Sequence, residues 1–181
     1  AGIRAVKVNT FATSAHRTFS DVMQRLDEAM AVIPPEVLAM AKRVFQRIDD
    51  AERQVHGAHA HFHEVGADDA IADIIGACTA IYSLHVDGVA VMPVALGRGF
   101  MTGSHGTFPI PAPATAEILR RSTLLIGEGN EDSELCTPTG AALLAEFSTT
   151  PPADLGIYSL KAVGYGAGTR NPAIIPNVIR A

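Results

Sequence analysis

Two long apolar stripes at helical spacing, joined by a short histidine-rich stretch, constrain this chain more than any other feature. Val37, Ala41, Val44, Phe45, Ile48 and Val55 fall on one side of a helix that starts at the Pro34-Pro35 pair and stops at Gly57. At about 100° per residue, Ile71, Ile74, Ile75, Cys78, Ile81 and Tyr82 form a second stripe, on a helix from Asp68 to about His85. Each stripe needs another surface to bury against, so the chain must fold in layers around a shared core.

The stretch from Val55 to Asp73 holds four of the seven histidines, His56, His59, His61 and His63, and four carboxylates, Glu64, Asp68, Asp69 and Asp73. In an extended segment side chains alternate, which puts His59, His61 and His63 on one face. Imidazoles with a carboxylate nearby suit a divalent transition metal such as nickel, zinc, copper or iron. The same residues also suit a polar loop, or a cap for the helix that follows. On that helix the face opposite the apolar stripe carries Asp69, Asp73, Gly76 and Ala80. A solvated face ordinarily carries Lys, Glu or Gln, so this surface invites close approach by a backbone or a ligand. Asp69 and Asp73 stand one turn apart and can converge on one point. Capping by Asp68 and dipole compensation by Asp69 account for the first turn without any ligand, but leave Asp73 unexplained. His85 lies on the apolar stripe and reads as a hydrogen-bonded core histidine.

Further helices are expected near 18–31, 113–121 and 138–147, beside those near 35–56 and 68–85. The first has Phe19, Val22, Met23, Leu26 and Met30 at helical spacing, with Thr18 and Asp21 resembling a capping box. Strands are expected near 3–9, 89–96, 99–104, 123–126, 159–164 and 177–180. The class is therefore α/β or α+β, a mixed sheet of about six strands with helices packed on it. The run Val89–Ala95 suits a buried strand. Pro109, Pro111 and Pro113 impose an extended, polyproline-like path of the kind that often lines a cleft. Ser104 beside His105 hints at nucleophilic catalysis, but adjacent side chains face apart and there is no G-x-S-x-G elbow. After a polar, acidic loop over 127–134, Thr137-Pro138-Thr139-Gly140 runs into a helix. Either threonine can cap it, and such a helix start can hold a phosphate or carboxylate. The glycines of 164–168 lack the strand–glycine–helix setting of a dinucleotide fingerprint, and Arg170 beside them suits an anion clamp.

Composition argues against several other classes. The 181 residues are 48% hydrophobic and 18% charged, which suits one folded domain rather than a disordered chain. A net charge of −5 gives no basic field for nucleic acid or anionic lipid. Asp73, His85 and Asp87 interrupt the longest apolar candidate, so no membrane span is expected. The two cysteines, Cys78 and Cys136, form no C-x-x-C pair, which argues against a disulfide framework or zinc knuckle and for a reducing cytoplasm.

Several of these segments, in this order, resemble one family. His61 to Asp73 matches the family's H-F-H-E-V-G-A-x-D-x-I-x-D block, and Val91 to Gly99, Met-Pro-Val-Ala-Leu-Gly-Arg-Gly included, resembles its S-P-V-x-L-G-x-G strand. Ser104 to Thr115 is similar to H-G-x-x-P-x-P-A-P-A-T, Thr137 to Leu143 to T-P-T-G-A-A-L, and Gly164 to Arg170 with Pro176-Asn177-Val178 to G-x-G-A-G-x-R and P-N-V. Together they span most of Val55–Arg180. The family is that of the nickel-insertion proteins of nickel-pincer nucleotide cofactor synthesis, the LarC type, which mature lactate racemase and related enzymes.

The resemblance implies a cyclometallase, which inserts nickel into pyridinium-3,5-bisthiocarboxylic acid mononucleotide in a process needing CTP and a divalent cation, Mg or Mn. On that resemblance His61, His63 and His105 are the candidate nickel ligands. Glu64, Asp69 and Asp73 are candidates to complete the metal's sphere or to act as base while the carbon–nickel bond forms. Thr137, Thr139, Gly140 and Arg170 are candidates to hold the phosphate and acid groups of the substrate. The resemblance also implies a fragment. The family's amino-terminal segment and its carboxy-terminal domain, expected to carry most of the CTP and cation site, are outside these residues.

Two other readings use the same residues. A nickel carrier would bind metal through the histidines without a nucleotide substrate. A metal-dependent hydrolase or lyase would hold its metal with His61, His63 and Asp73 and keep a water-accessible open position. Clustering of His105, Thr139 and Arg170 around the 61–73 block favours insertion, whereas an isolated surface loop of histidines favours the carrier. No nucleic-acid or membrane partner is expected, and a homo-oligomer is compatible with the sequence.

Overall fold

The structure is a computed structural model, and it describes residues 2–10, 17–57, 68–103, 106–127, 129–170 and 175–181. Helix α2 (Pro35–His56) is its axis. Its stripe, Val37, Leu38, Ala41, Val44, Phe45, Ile48 and Ala51, is buried along the helix. Helices α1 (Phe19–Glu28), α3 (Asp68–Leu84), α4 (Pro113–Arg120) and α5 (Pro138–Phe147) all pack against α2. They bring Val22 and Leu26, Ile74 and Cys78, Ile118 and Leu119, and Ala141 and Ala142 into one core.

The helix boundaries follow the local chemistry. Thr18 and Asp21 close a reciprocal capping box, with Asp21 N–H donating to Thr18 Oγ1 at 3.2 Å and Thr18 N–H donating to Asp21 Oδ2 at 2.9 Å. Pro35 occupies the first turn of α2, where its missing N–H costs nothing, and Gly57 ends the helix at φ +66°. Two expectations fail at helix ends. Met30 is exposed because the chain tightens into a 3₁₀ turn over Ala29–Ala31, which rotates it off the stripe. His85 is also exposed. It lies one residue beyond α3 at φ +48°, with its ring edge-on to Tyr82 at 6.1 Å, rather than in the core.

The strands are of mixed orientation, but they pair two by two rather than in one sheet. β1 (Val94–Ala95) and β4 (Ile126–Gly127) are parallel. β2 (Phe100–Gly103) and β3 (Gly106–Pro109) are antiparallel, as are β5 (Tyr165–Ala167) and β6 (Val178–Arg180). The segment expected as a strand over 3–9 makes a single parallel bridge, Val6 to Gly166. The expected strand at 159–164 starts its ladder only at Tyr165. β3 begins the proline-rich segment, whose extended path was expected although its pairing with β2 was not. Its Thr107 hydroxyl meets Thr102 across the ladder at 3.1 Å.

A cleft of about 520 Å³ fixes the helix directions. It is lined by Glu36 and Met40 from the start of α2, Tyr82 near the end of α3, and Glu146 and Phe147 from the end of α5. Helices α3 and α5 thus run opposite to α2. Asp73 lies nine residues before Tyr82 and Pro138 nine before Phe147, so at about 1.5 Å per residue they sit at similar heights along the bundle.

Glycine is required where β1 leaves the core. Gly97 sits at φ +82°, and a Cβ there would stand 1.9 Å from the Ser133 carbonyl oxygen. Gly97→Ala should cost at least about 2 kcal/mol, from the left-handed backbone and the clash together. Gly76→Ala, where no described atom lies within 4 Å of the new methyl, should stabilise α3 by up to about 1 kcal/mol. Urea unfolding of the two variants checks both signs.

Candidate functional site

The flanks of the histidine stretch and the start of α5 both lie away from the cleft lining. His56, in the last turn of α2, pairs with Glu52 at 3.4 Å. Asp68, the first residue of α3, forms an ion pair with Arg17. Asp69 turns back on its own helix, its Oδ1 accepting the Ala70 N–H at 2.8 Å, which is the dipole-compensating role open to it. Asp73 has no such local use. Partial desolvation, followed by the charge of Asp69, raises its carboxyl above the ordinary aspartate value. Asp69, Asp73, Gly76 and Ala80 all lie on an exposed face of α3, as their small and acidic character suggested.

The start of α5 is capped by Thr137 rather than Thr139. The Gly140 N–H donates to Thr137 Oγ1 at 3.2 Å, and Pro138 fills the first helical position. Arg170 joins this region through the preceding loop: its Nη1 donates to the Glu134 carbonyl at 3.3 Å, three residues before the cap. Thr137, Thr139 and Gly140 share the start of α5, and Arg170 reaches the loop that leads into it. His61, His63, Glu64 and His105 lie outside the described residues. Among the described residues no group of three or more His, Cys, Asp or Glu side chains gathers as a metal cradle.

The loop over 129–136 carries more than its composition suggested. Read as a polar, acidic connection, it in fact buries Glu131 and Glu134, which are 5% and 8% exposed. It is stitched to the end of β1 by Arg98 N–H to the Glu131 carbonyl at 2.9 Å and by Leu135 N–H to the Leu96 carbonyl at 3.0 Å. The Ile175 N–H donates to Glu131 Oε2 at 3.3 Å, tying in the chain beyond Arg170. The sequence did hold one signal: Leu135-Cys136, directly after Glu134, turns the loop inward.

Both thiols are protonated at neutral pH. Burial, assisted by Glu146 at Cys78 and by Glu134 at Cys136, pushes each up to about 11. A thiol held this way is a poor metal ligand and nucleophile, because the thiolate is the reactive form.

These features describe a helical α/β domain in which acidic residues open α3 and Arg170 reaches the loop that leads into α5. The chain belongs to the nickel insertion protein family, whose model, described as "Nickel insertion protein", matches residues 1–181. It is 45% identical over 168 residues to a protein named for nickel insertion from Syntrophotalea carbinolica, covering 91% of this chain and 41% of that one. A similarly named protein of Methanococcoides burtonii is 44% identical over 184 residues, covering 99% of this chain and 45% of that one. A Nocardioides relative, named pyridinium-3,5-bisthiocarboxylic acid mononucleotide nickel insertion protein, is 44% identical over 174 residues, covering 93% of this chain and 42% of that one. The chain spans less than half the length of these curated relatives. No solved structure matches it.

The raised Asp73 carboxyl gives a pH-dependent expectation. Because its folded value exceeds the unfolded 3.8, ionisation destabilises the fold as pH rises from 3.8 through that higher value. Asp73→Asn should therefore melt above the wild type at pH 7, and the gap should close below pH 3.8. Melting curves across that range test the sign.

Proposed function

We propose that this chain is part of an enzyme that inserts nickel into pyridinium-3,5-bisthiocarboxylic acid mononucleotide, making the nickel-pincer cofactor used by lactate racemase and related enzymes. The observation that carries the reading is the 44% identity to the Nocardioides protein named for that insertion. The layout of the bundle end supports it. Nickel ligands at His61, His63 and His105 would be joined by the carboxylates that open α3. The phosphate and acid groups of the substrate would meet the Thr137–Gly140 helix start and the Arg170 guanidinium. Sulfur for nickel would come from the substrate's thiocarboxylates, since Cys78 and Cys136 are buried and protonated.

Replacing a ring C–H by carbon–nickel releases a proton, so the reaction needs a base. Asp73 is suited to that role, because a carboxylate with a raised pKa holds a proton more tightly. Glu64 or Asp69 would complete the metal's sphere. CTP with Mg or Mn would act through polypeptide beyond these 181 residues, in a cytoplasmic, reducing setting.

Nickel calorimetry on the wild type beside His61→Ala/His63→Ala tests the metal assignment. Loss of about a hundredfold or more in affinity is expected, beyond the usual effect of a residue that only orients a ligand. Equal binding by both proteins would remove the 61–73 block from the metal site. Nickel binding without any binding of a pyridinium mononucleotide would instead make the chain a carrier.

A further inference from the structure

We propose that Glu131 is a positioning residue, whose buried carboxylate anchors the segment following Arg170 and so holds the Arg170 guanidinium beside the start of α5. The proposal rests on the reading above, in which Arg170 and that helix start receive the anionic groups of the substrate. A loop made of Gly129, Asn130, Asp132 and Ser133 has all the residues it needs to turn. It has no need of two buried glutamates, and a buried carboxylate is costly unless hydrogen bonds offset its lost hydration. Glu131 and Glu134 are nevertheless buried.

The hydrogen bonds of Glu131 say what its burial accomplishes. Glu131 Oε2 accepts the Ile175 N–H at 3.3 Å, while its backbone carbonyl accepts the Arg98 N–H at 2.9 Å. One residue thus joins the end of β1 to Ile175. Arg170 and Asn177 are tied together, because Asn177 Nδ2 donates to the Arg170 carbonyl at 3.0 Å and the Gly168 N–H donates to the Asn177 carbonyl at 3.1 Å. Gly168 lets Asn177 approach, since a Cβ there would stand 2.4 Å from Asn177 Nδ2. Anchoring Ile175 therefore anchors the backbone of Arg170. The arginine then donates to the Glu134 carbonyl, three residues before the Thr137 cap. An exposed arginine otherwise samples many rotamers, and a fixed stem reduces what is lost when it grips an anion.

The test is the affinity of this chain for nicotinic acid mononucleotide, a pyridinium mononucleotide with a ring carboxylate, measured by calorimetry. The variants are Arg170→Ala, Glu131→Ala, Glu131→Gln, Glu131→Asp and the Glu131→Ala/Arg170→Ala pair. Arg170→Ala and Glu131→Ala should each weaken binding about tenfold or more, as loss of an orienting partner does. Glu131→Gln, which keeps an acceptor oxygen, should restore most of the affinity. Glu131→Asp withdraws the carboxylate by one methylene and should show the loss even if Glu131→Ala does not fold. The double variant should bind no more weakly than Arg170→Ala alone, because both changes remove one function. A change that merely loosens the fold would lower the melting temperature without this non-additivity. Wild-type affinity in Glu131→Ala or Glu131→Asp, or additive losses in the pair, would overturn the positioning role. Wild-type affinity in Arg170→Ala, or no binding by the wild type, would instead overturn the anion-site reading, and the positioning role with it.

Discussion

Everything in this fold depends on the burial of one stripe of α2. Val37, Ala41, Val44, Phe45 and Ile48 are fully removed from water, and four other helices find their apolar partners there. Burial of side chains of this size contributes roughly 1.5–3 kcal/mol each for the larger ones, an upper estimate because denatured chains are partly compact. No strand pair offers a comparable surface. Around the stripe, Glu146, whose side chain is only 7% exposed, is shared between Arg43 at 2.6 Å and Arg47 at 3.3 Å, which ties α5 to α2. The cross-link helps fix how far α5 can slide, and hence where its first turn lies.

The two ends of the bundle differ in character as a result. Where α3 and α5 finish, the cleft mixes Met40, Ile81, Tyr82 and Phe147 with Glu36, Arg43 and Glu146. Where they begin, they present the positive ends of two helix dipoles. Asp68 and Asp69 partly compensate the first of these, and Thr137 caps the second. The proposed chemistry with nickel and an anionic nucleotide would draw carboxylates from the start of α3 and donors from the start of α5.

What the sequence made legible was governed by local rules. The stripes of α2 and α3, the Thr18–Asp21 box, the proline start and glycine stop of α2, and the Thr137 cap all depend on residues within a turn or two of each other. Met30 and His85 were misplaced because a helix end is decided by a small change in winding, to which apolar periodicity is blind. The strands were found only approximately, since a pair as short as Val94–Ala95 with Ile126–Gly127 is set by a long-range partner rather than by alternation. Glu131 and Glu134 were unreadable for a related reason: nothing in an acidic loop announces that its glutamates accept hydrogen bonds from residues such as Ile175, more than forty positions away. The candidate metal-facing and anion-facing residues rest on the family motifs, which carry information that spacing alone does not.

The division of the strands into three small pairs has a mechanical consequence. A two-stranded sheet has little independent stability in water, so each pair owes its order to the helices or to loops such as 129–136. Opening free energies should therefore be graded, with the α2 core opening last and the β2–β3 and β5–β6 ribbons first. Those ribbons flank His105 and Arg170 in the chain. The two ribbons can thus open and re-form while the bundle behind them stays folded.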